Sequence, residues 1–287
     1  MKKASNNRRQ KAFKFTPLRR AFLGLLVKYV NLTTNDLYRL IPRQPAGSSE
    51  EDRRRRESHE RSVRQALRTF AAQGFLVRRR WFDDERTDTP FPVAVSVYSL
   101  SKEGLRLAQE RGSGNGQGKH AEDSSRGNES VGHELAITRF HMALERLPRK
   151  VLWRQTELRR TVNPDALFEI VEPDGRGAYY YFLEIEKSKQ GHYRDGESGL
   201  LKKLRRYQEY QGTEACKREW KHFDRFRVIV MVKNEERRQN LLLALSRRCN
   251  TRMLWLATEA ACAADIGGKI FLTPRDYRDR AYSFLDP

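Results

Sequence analysis

Residues 163–187 read N-P-D-A-L-F-E-I-V-E-P-D-G-R-G-A-Y-Y-Y-F-L-E-I-E-K, and the reading of the second half of the chain depends on them. Two runs rich in apolar, aromatic and β-branched residues flank Pro173-Asp174-Gly175, which predicts a β-hairpin with its turn there. Asp165 opens the first strand. Glu184 and Glu186 stand two apart on the second, so their side chains leave one face. Three carboxylates gathered at one end of a hairpin suit a hard cation, Mg2+ or Mn2+.

Around this stretch the order of elements is that of an α/β domain over residues 132–287. A helix from Gly132 to Leu147 is stopped by Pro148, and a strand is expected from Val151 to Leu158. After the hairpin come a loop at 191–199 and a helix over 200–211. The nearly continuous apolar run Phe226–Val232 suits a strand buried on both faces. A helix from Asn234 to Leu245 and short strands near 253–257 and 269–272 complete a mixed sheet flanked by helices.

The first half is organised differently. Pro17 can open a helix carrying Leu18, Phe22, Leu25, Leu26 and Tyr29 at helical spacing. Thr33-Thr34-Asn35-Asp36 can cap a short second helix. A third is expected over 57–73, with Val63, Ala66, Leu67 and Phe70 inward and Arg61, Arg64, Gln65 and Arg68 outward, and Gly74 ends it. The run Arg53–Arg56 precedes it, as its first turn or as a loop reaching backbone phosphate. Strands at 75–81 and 93–100 and a helix opened by Ser101-Lys102-Glu103-Gly104 follow. This order, over 17–111, resembles a winged helix, whose third helix enters the major groove. Residues 1–16 read as a disordered basic arm and 112–131, rich in Gly, Ser and Asn, as a flexible linker.

The chain has 287 residues and a formal net charge of +20, which calls for a polyanionic partner, most simply double-stranded DNA. Arg61, Arg64, Gln65 and Arg68 are the candidate DNA-reading residues, with Arg78, Arg79 and Arg80 on the wing against phosphate. A solvated arginine face is the rival reading. Cys216, Cys249 and Cys262 show no C-x-x-C spacing, which argues against zinc or a disulfide framework and for a reducing, cytoplasmic compartment. No apolar run is long enough to span a membrane.

The Pro164-Asp165 pair followed by Glu184-Ile185-Glu186 resembles the restriction-endonuclease-like nuclease core, whose signature is Pro-Asp, then acid–spacer–Lys. Glu186 stands where that lysine is expected, and Lys187 would face the other way. The whole set, H-E-L-A-I-T-R-F, N-P-D-A-L-F, Y-F-L-E-I-E-K-S and K-L-R-R-Y behind a winged helix and linker, resembles the replication-relaxation family of plasmids and integrative elements. That resemblance implies an α+β two-domain protein that binds an origin and nicks or relaxes DNA, with other replication or transfer proteins as further partners.

On this reading Asp165 and Glu184 ligate Mg2+ or Mn2+, with Glu186 or the Ile185 carbonyl, and Glu134 is a further ligand or orienting carboxylate. Lys203 on the next helix is the candidate for a relocated lysine, and Tyr207, four residues on, is its neighbour. His133 and His141 read as capping or surface residues, and Tyr179–Tyr181 as packing rather than a nucleophile. The rival reading is a non-catalytic DNA-binding protein on a degenerate nuclease fold.

Overall fold

The structure, a computed structural model, describes residues 16–41, 49–83, 93–112, 128–154, 161–175, 177–187, 199–220, 223, 225–249 and 251–286. The chain divides into two compact units, Met1–Asn128 and Glu129–Pro287. The arm expected over 1–16 lies outside the described residues up to 15, and the linker expected over 112–131 does so over 113–127, but residues 128–131 are helical, so the helix expected from Gly132 starts four residues earlier. Residues 84–92 and 188–198 also lie outside the described residues.

The first unit runs α1 (Pro17–Tyr29), β1 (Asn31–Thr33), α2 (Thr34–Leu40), α3 (Glu50–Ala72), β2 (Leu76–Asp83), β3 (Val93–Leu100) and α4 (Lys102–Glu110). Its starts are written in local chemistry. Thr16 caps α1 ahead of Pro17, Thr33 and Asp36 form a reciprocal capping box on α2, and Ser49 and Asp52 form another on α3. The three strands order as β1-β3-β2, all antiparallel. Phe22, Leu23, Leu26, Leu37, Val63, Leu67, Phe70 and Val97 make the buried interior.

Two features depart from the sequence reading. β1 is only three residues long, too short for an alternation signal. α3 begins at Glu50, two turns before the expected start, so Arg53–Arg56 are helical. Its first thirteen residues bury no side chain, and an apolar period cannot reveal a segment that has none.

The second unit runs α5 (Asn128–Leu144), β4 (Val151–Arg154), β5 (Ala166–Val171), β6 (Ala178–Glu186), α6 (Gly199–Tyr210), α7 (Glu214–Glu219), β7 (Arg227–Val232), α8 (Glu235–Ser246), β8 (Leu254–Thr258), α9 (Glu259–Asp265), β9 (Phe271–Leu272) and β10 (Ala281–Tyr282). One mixed sheet orders as β10-β9-β8-β7-β6-β5-β4. β6, β7 and β8 are parallel and the outer pairings antiparallel. α7 and α9, six and seven residues long, were not legible as helices.

The hairpin forms as read. The Gly175 N–H donates to the Glu172 carbonyl at 2.9 Å, closing a turn with Pro173 and Asp174 at its centre. Gly175 takes φ +70, which a side chain would resist. Alternate residues of the central strands then feed two cores. Phe168, Ile170, Tyr181, Leu183, Ile229 and Trp255 meet α5 and α9 on one face. Leu167, Phe182, Val228, Val230 and Leu256 meet α6 and α8 on the other. Both parallel crossovers, through α6 and through α8, therefore lie on the same side of the sheet, as a single crossover hand requires. The three cysteines are all buried here, and burial pushes the Cys262 thiol up to about 12. Among the described residues no helix is long and apolar enough to cross a membrane.

Candidate functional site

The site is built on the open end of the hairpin. Ala166 pairs with Leu183 as the last pair of the ladder, and Asp165 stands just before it. The Asp165 N–H donates to the Leu183 carbonyl at 2.9 Å, and the Ile185 N–H donates to Asp165 Oδ2 at 2.7 Å. The two acids read from the sequence thus stand at the same end of the hairpin, close enough for the charge on Asp165 to act on Glu184.

Glu184 is only 3 % exposed and carries two donors. Lys203 Nζ donates to its Oε2 at 2.6 Å, and the Tyr207 hydroxyl donates to its Oε1. Lys203 and Tyr207 lie one turn apart on α6, whose buried stripe of Leu201, Leu204 and Tyr207 turns this face to the sheet. Burial pushes the Glu184 carboxyl up to about 7, aided by the charge on Asp165 and opposed by Lys203. Burial, then the Glu184 charge, pushes the Tyr207 phenol well above its ordinary value, which keeps the proton it donates to Glu184.

The raised Glu184 value has a measurable consequence. An unfolded glutamate titrates near ~4.3. Between there and about 7 the folded state holds a proton that the unfolded state releases. Stability from this group is full below the unfolded value and is lost as pH rises through the folded one. Wild type should therefore lose stability relative to Glu184→Gln between pH ~4 and ~7, read by denaturant unfolding of both at each pH. Parallel behaviour of the two proteins would contradict the assignment.

His133 is the functional candidate that sequence reasoning missed. Its Nε2 lies 3.1 Å from Asp165 Oδ2, and that bond holds the imidazole above its ordinary value against the opposing effect of burial. No local signal marks it, because its partner is 32 residues away. Its neighbour Glu134 is half-buried one position further along α5, about 100° round the helix. His141, also read as capping or surface, is buried and stacks on Trp153 with ring centroids 4.2 Å apart.

Glu186 does not join the other two acids. Arg237, in the first turn of α8, donates to its Oε1 at 2.8 Å. Lys187 reaches Glu259 at 3.2 Å. Among the described residues no three His, Cys, Asp or Glu side chains converge to hold a metal ion. Of the three expected carboxylates, Glu186 is the one held by an arginine from α8. The reason is lateral: α8 follows β7 and sets its first turn over the end of β6, where Glu186 meets a cation instead of a shared metal position. Tyr181 is fully buried against Phe168, with ring centroids 5.0 Å apart, and is a core residue.

In the first unit, Arg61, Arg64, Gln65 and Arg68 are all exposed on the face of α3 opposite Val63, Ala66, Leu67 and Phe70. Arg64 Nε donates to the Tyr38 hydroxyl at 2.9 Å, which ties it to α2. Arg78 and Arg80 are exposed on β2, and Arg78 Nε donates to Ser96 Oγ at 3.0 Å. Arg79, between them, takes the opposite face and donates to the buried Asn31 Oδ1 at 2.9 Å. Expecting all three arginines against phosphate overlooked the two-residue period of the strand; Arg79 braces β1 instead.

These features define an α+β chain with a helix–hairpin unit and a mixed-sheet unit bearing a buried glutamate beside a half-buried aspartate. The family model described as replication-relaxation matches residues 26–226, and the chain belongs to that family. No curated protein matches. A solved structure similar to part of the chain is that of Bacillus subtilis PadR in complex with operator DNA, at 15 % identity over 45 % of this chain and 68 % of that one, with a TM-score of 0.23.

Proposed function

We propose that the chain is a DNA-binding protein of a plasmid or other mobile element: a winged helix places a restriction-endonuclease-like unit on duplex DNA, and that unit nicks one strand at an origin with Mg2+ or Mn2+. The observation that carries this reading is Asp165 held at the open end of the hairpin by the Ile185 N–H, where its charge acts on Glu184, with Lys203 seated on Glu184. The net charge of +20 and membership of the replication-relaxation family support the DNA partner.

Mg2+ is commonly bound through one or two carboxylates plus phosphate oxygens, and Asp165 with Glu184 suits that donor set without Glu186. Such a cation, when bound, polarises the scissile phosphate and acidifies a water. The chain's own residues have separate tasks. Tyr207 orients Glu184, while His133 and the Ile185 N–H orient Asp165. Lys203 stands as the cation beside the negative charge that develops at phosphorus. Arg61, Gln65 and Arg68 read the major groove, and Arg78 and Arg80 touch phosphate.

A second reading, a non-catalytic DNA-binding protein of the same family, is favoured by the basic partner each acid already has: Asp165 the His133 imidazole, Glu184 Lys203 and Glu186 Arg237. Incubating the protein with supercoiled plasmid carrying the element's origin separates the two. The expected result is conversion to open circles with Mn2+ and none with chelator. Retention of the DNA without cleavage under any divalent ion would establish the second reading.

A further inference from the structure

α3 is longer than a groove-reading helix needs to be. From Glu50 to Ser62 none of its side chains is buried, and Val63 is the first that is. At about 1.5 Å per residue, ~20 Å of helix stands beyond the first buried position. Four consecutive arginines lie in it, and the helix separates them by face.

Arg54, Arg61 and Arg68 recur every seven residues, so they drift only about 20° per step. They run along the side opposite Val63, Ala66, Leu67 and Phe70, and Arg53 flanks the same stripe. Arg55 and Arg56 fall on the remaining sides. Glu50 Oε1 holds both Arg53, at 2.7 Å, and Arg54, at 3.4 Å. These pairs are solvated and exchange readily for a phosphate, since exposed ion pairs contribute about 0–1 kcal/mol.

The stripe from Arg54 to Arg68 spans ~21 Å of straight helix, whereas the major groove is about 12 Å wide and curves round the duplex. A helix seated in the groove at Arg61–Arg68 must leave it at one end, and the outer end then meets the sugar–phosphate rim. We propose that Arg53 and Arg54 grip backbone phosphates at that rim, so that α3 is divided into an inner segment that reads bases and an outer segment that holds the strand. This division rests on the DNA-binding reading above.

The test measures binding of the full chain to a 30-base-pair origin duplex by fluorescence anisotropy over a range of salt concentrations. Wild type is compared with Arg53→Ala/Arg54→Ala and Arg55→Ala/Arg56→Ala. Both variants remove the same charge from the same turns, at exposed positions where alanine favours helix. Each lost phosphate contact lowers the slope of log K against log salt by about 0.9, so the first variant should lose about 1.8. The second should keep the wild-type slope. Equal losses from the two variants, or no loss from the first, would overturn the division while leaving DNA binding in place. Failure of wild type to bind the duplex would overturn the DNA-binding reading itself.

Discussion

Asp165→Asn is expected to reduce Mn2+-dependent nicking by about 10³-fold or more, because a lost charge of this kind withdraws several kcal/mol of transition-state stabilisation. The substitution is chosen for what it keeps. An asparagine carbonyl can still accept from the Ile185 N–H, which donates to Asp165 at 2.7 Å, so the strand end stays in place. Only the negative charge facing Glu184 and His133 is removed. DNA affinity should be unchanged within about twofold, since affinity is dominated by phosphate contacts made by basic residues. Open-circle formation and duplex binding measured on the same preparation check both halves. Nicking that persists at the wild-type rate would remove Asp165 from the proposed chemistry.

Gly104→Ala is expected to cost the first unit about 3 kcal/mol, at the upper end of overpacking substitutions. A Cβ there would stand 2.0 Å from the Phe75 carbonyl oxygen and 3.2 Å from Leu100 Cδ2. The obstacle is backbone, and it is held on both sides. The Phe75 carbonyl accepts from the Ser101 N–H at 3.1 Å, and Ser101 Oγ donates to the Gly74 carbonyl at 2.6 Å. α4 can accommodate a methyl only by lifting off the turn that ends α3. A fall of roughly 10 °C in the first unit's thermal transition is expected at about 3–4 °C per kcal/mol, with the second unit's transition unmoved. A shift under about 2 °C would mean that the turn yields cheaply.

The elements legible in the sequence are those whose signal is local. The hairpin was readable because its turn residues and both flanking strands lie within 25 consecutive residues. The capping box Thr33/Asp36 announced α2 in the same way. Ser49 and Asp52 carried the equivalent signal for α3, but the polar residues behind them hid the helix they open. At the site, Lys203 and Tyr207 could be paired with each other from their spacing of four. Their meeting with Glu184, 19 and 23 residues back, follows from how α6 packs. His133 and Arg237 lie 32 and 51 residues from the acids they hold, and only the packing of α5 and α8 on the sheet makes those pairs.

All three cysteines of the chain belong to the second unit, and each is sealed from solvent. A thiol-reactive dye added to the native protein therefore meets no accessible sulfur. Labelling begins only when that unit opens, whatever the first unit is doing. The molecule thus carries its own reporter for the stability of one half of the chain, without an engineered probe.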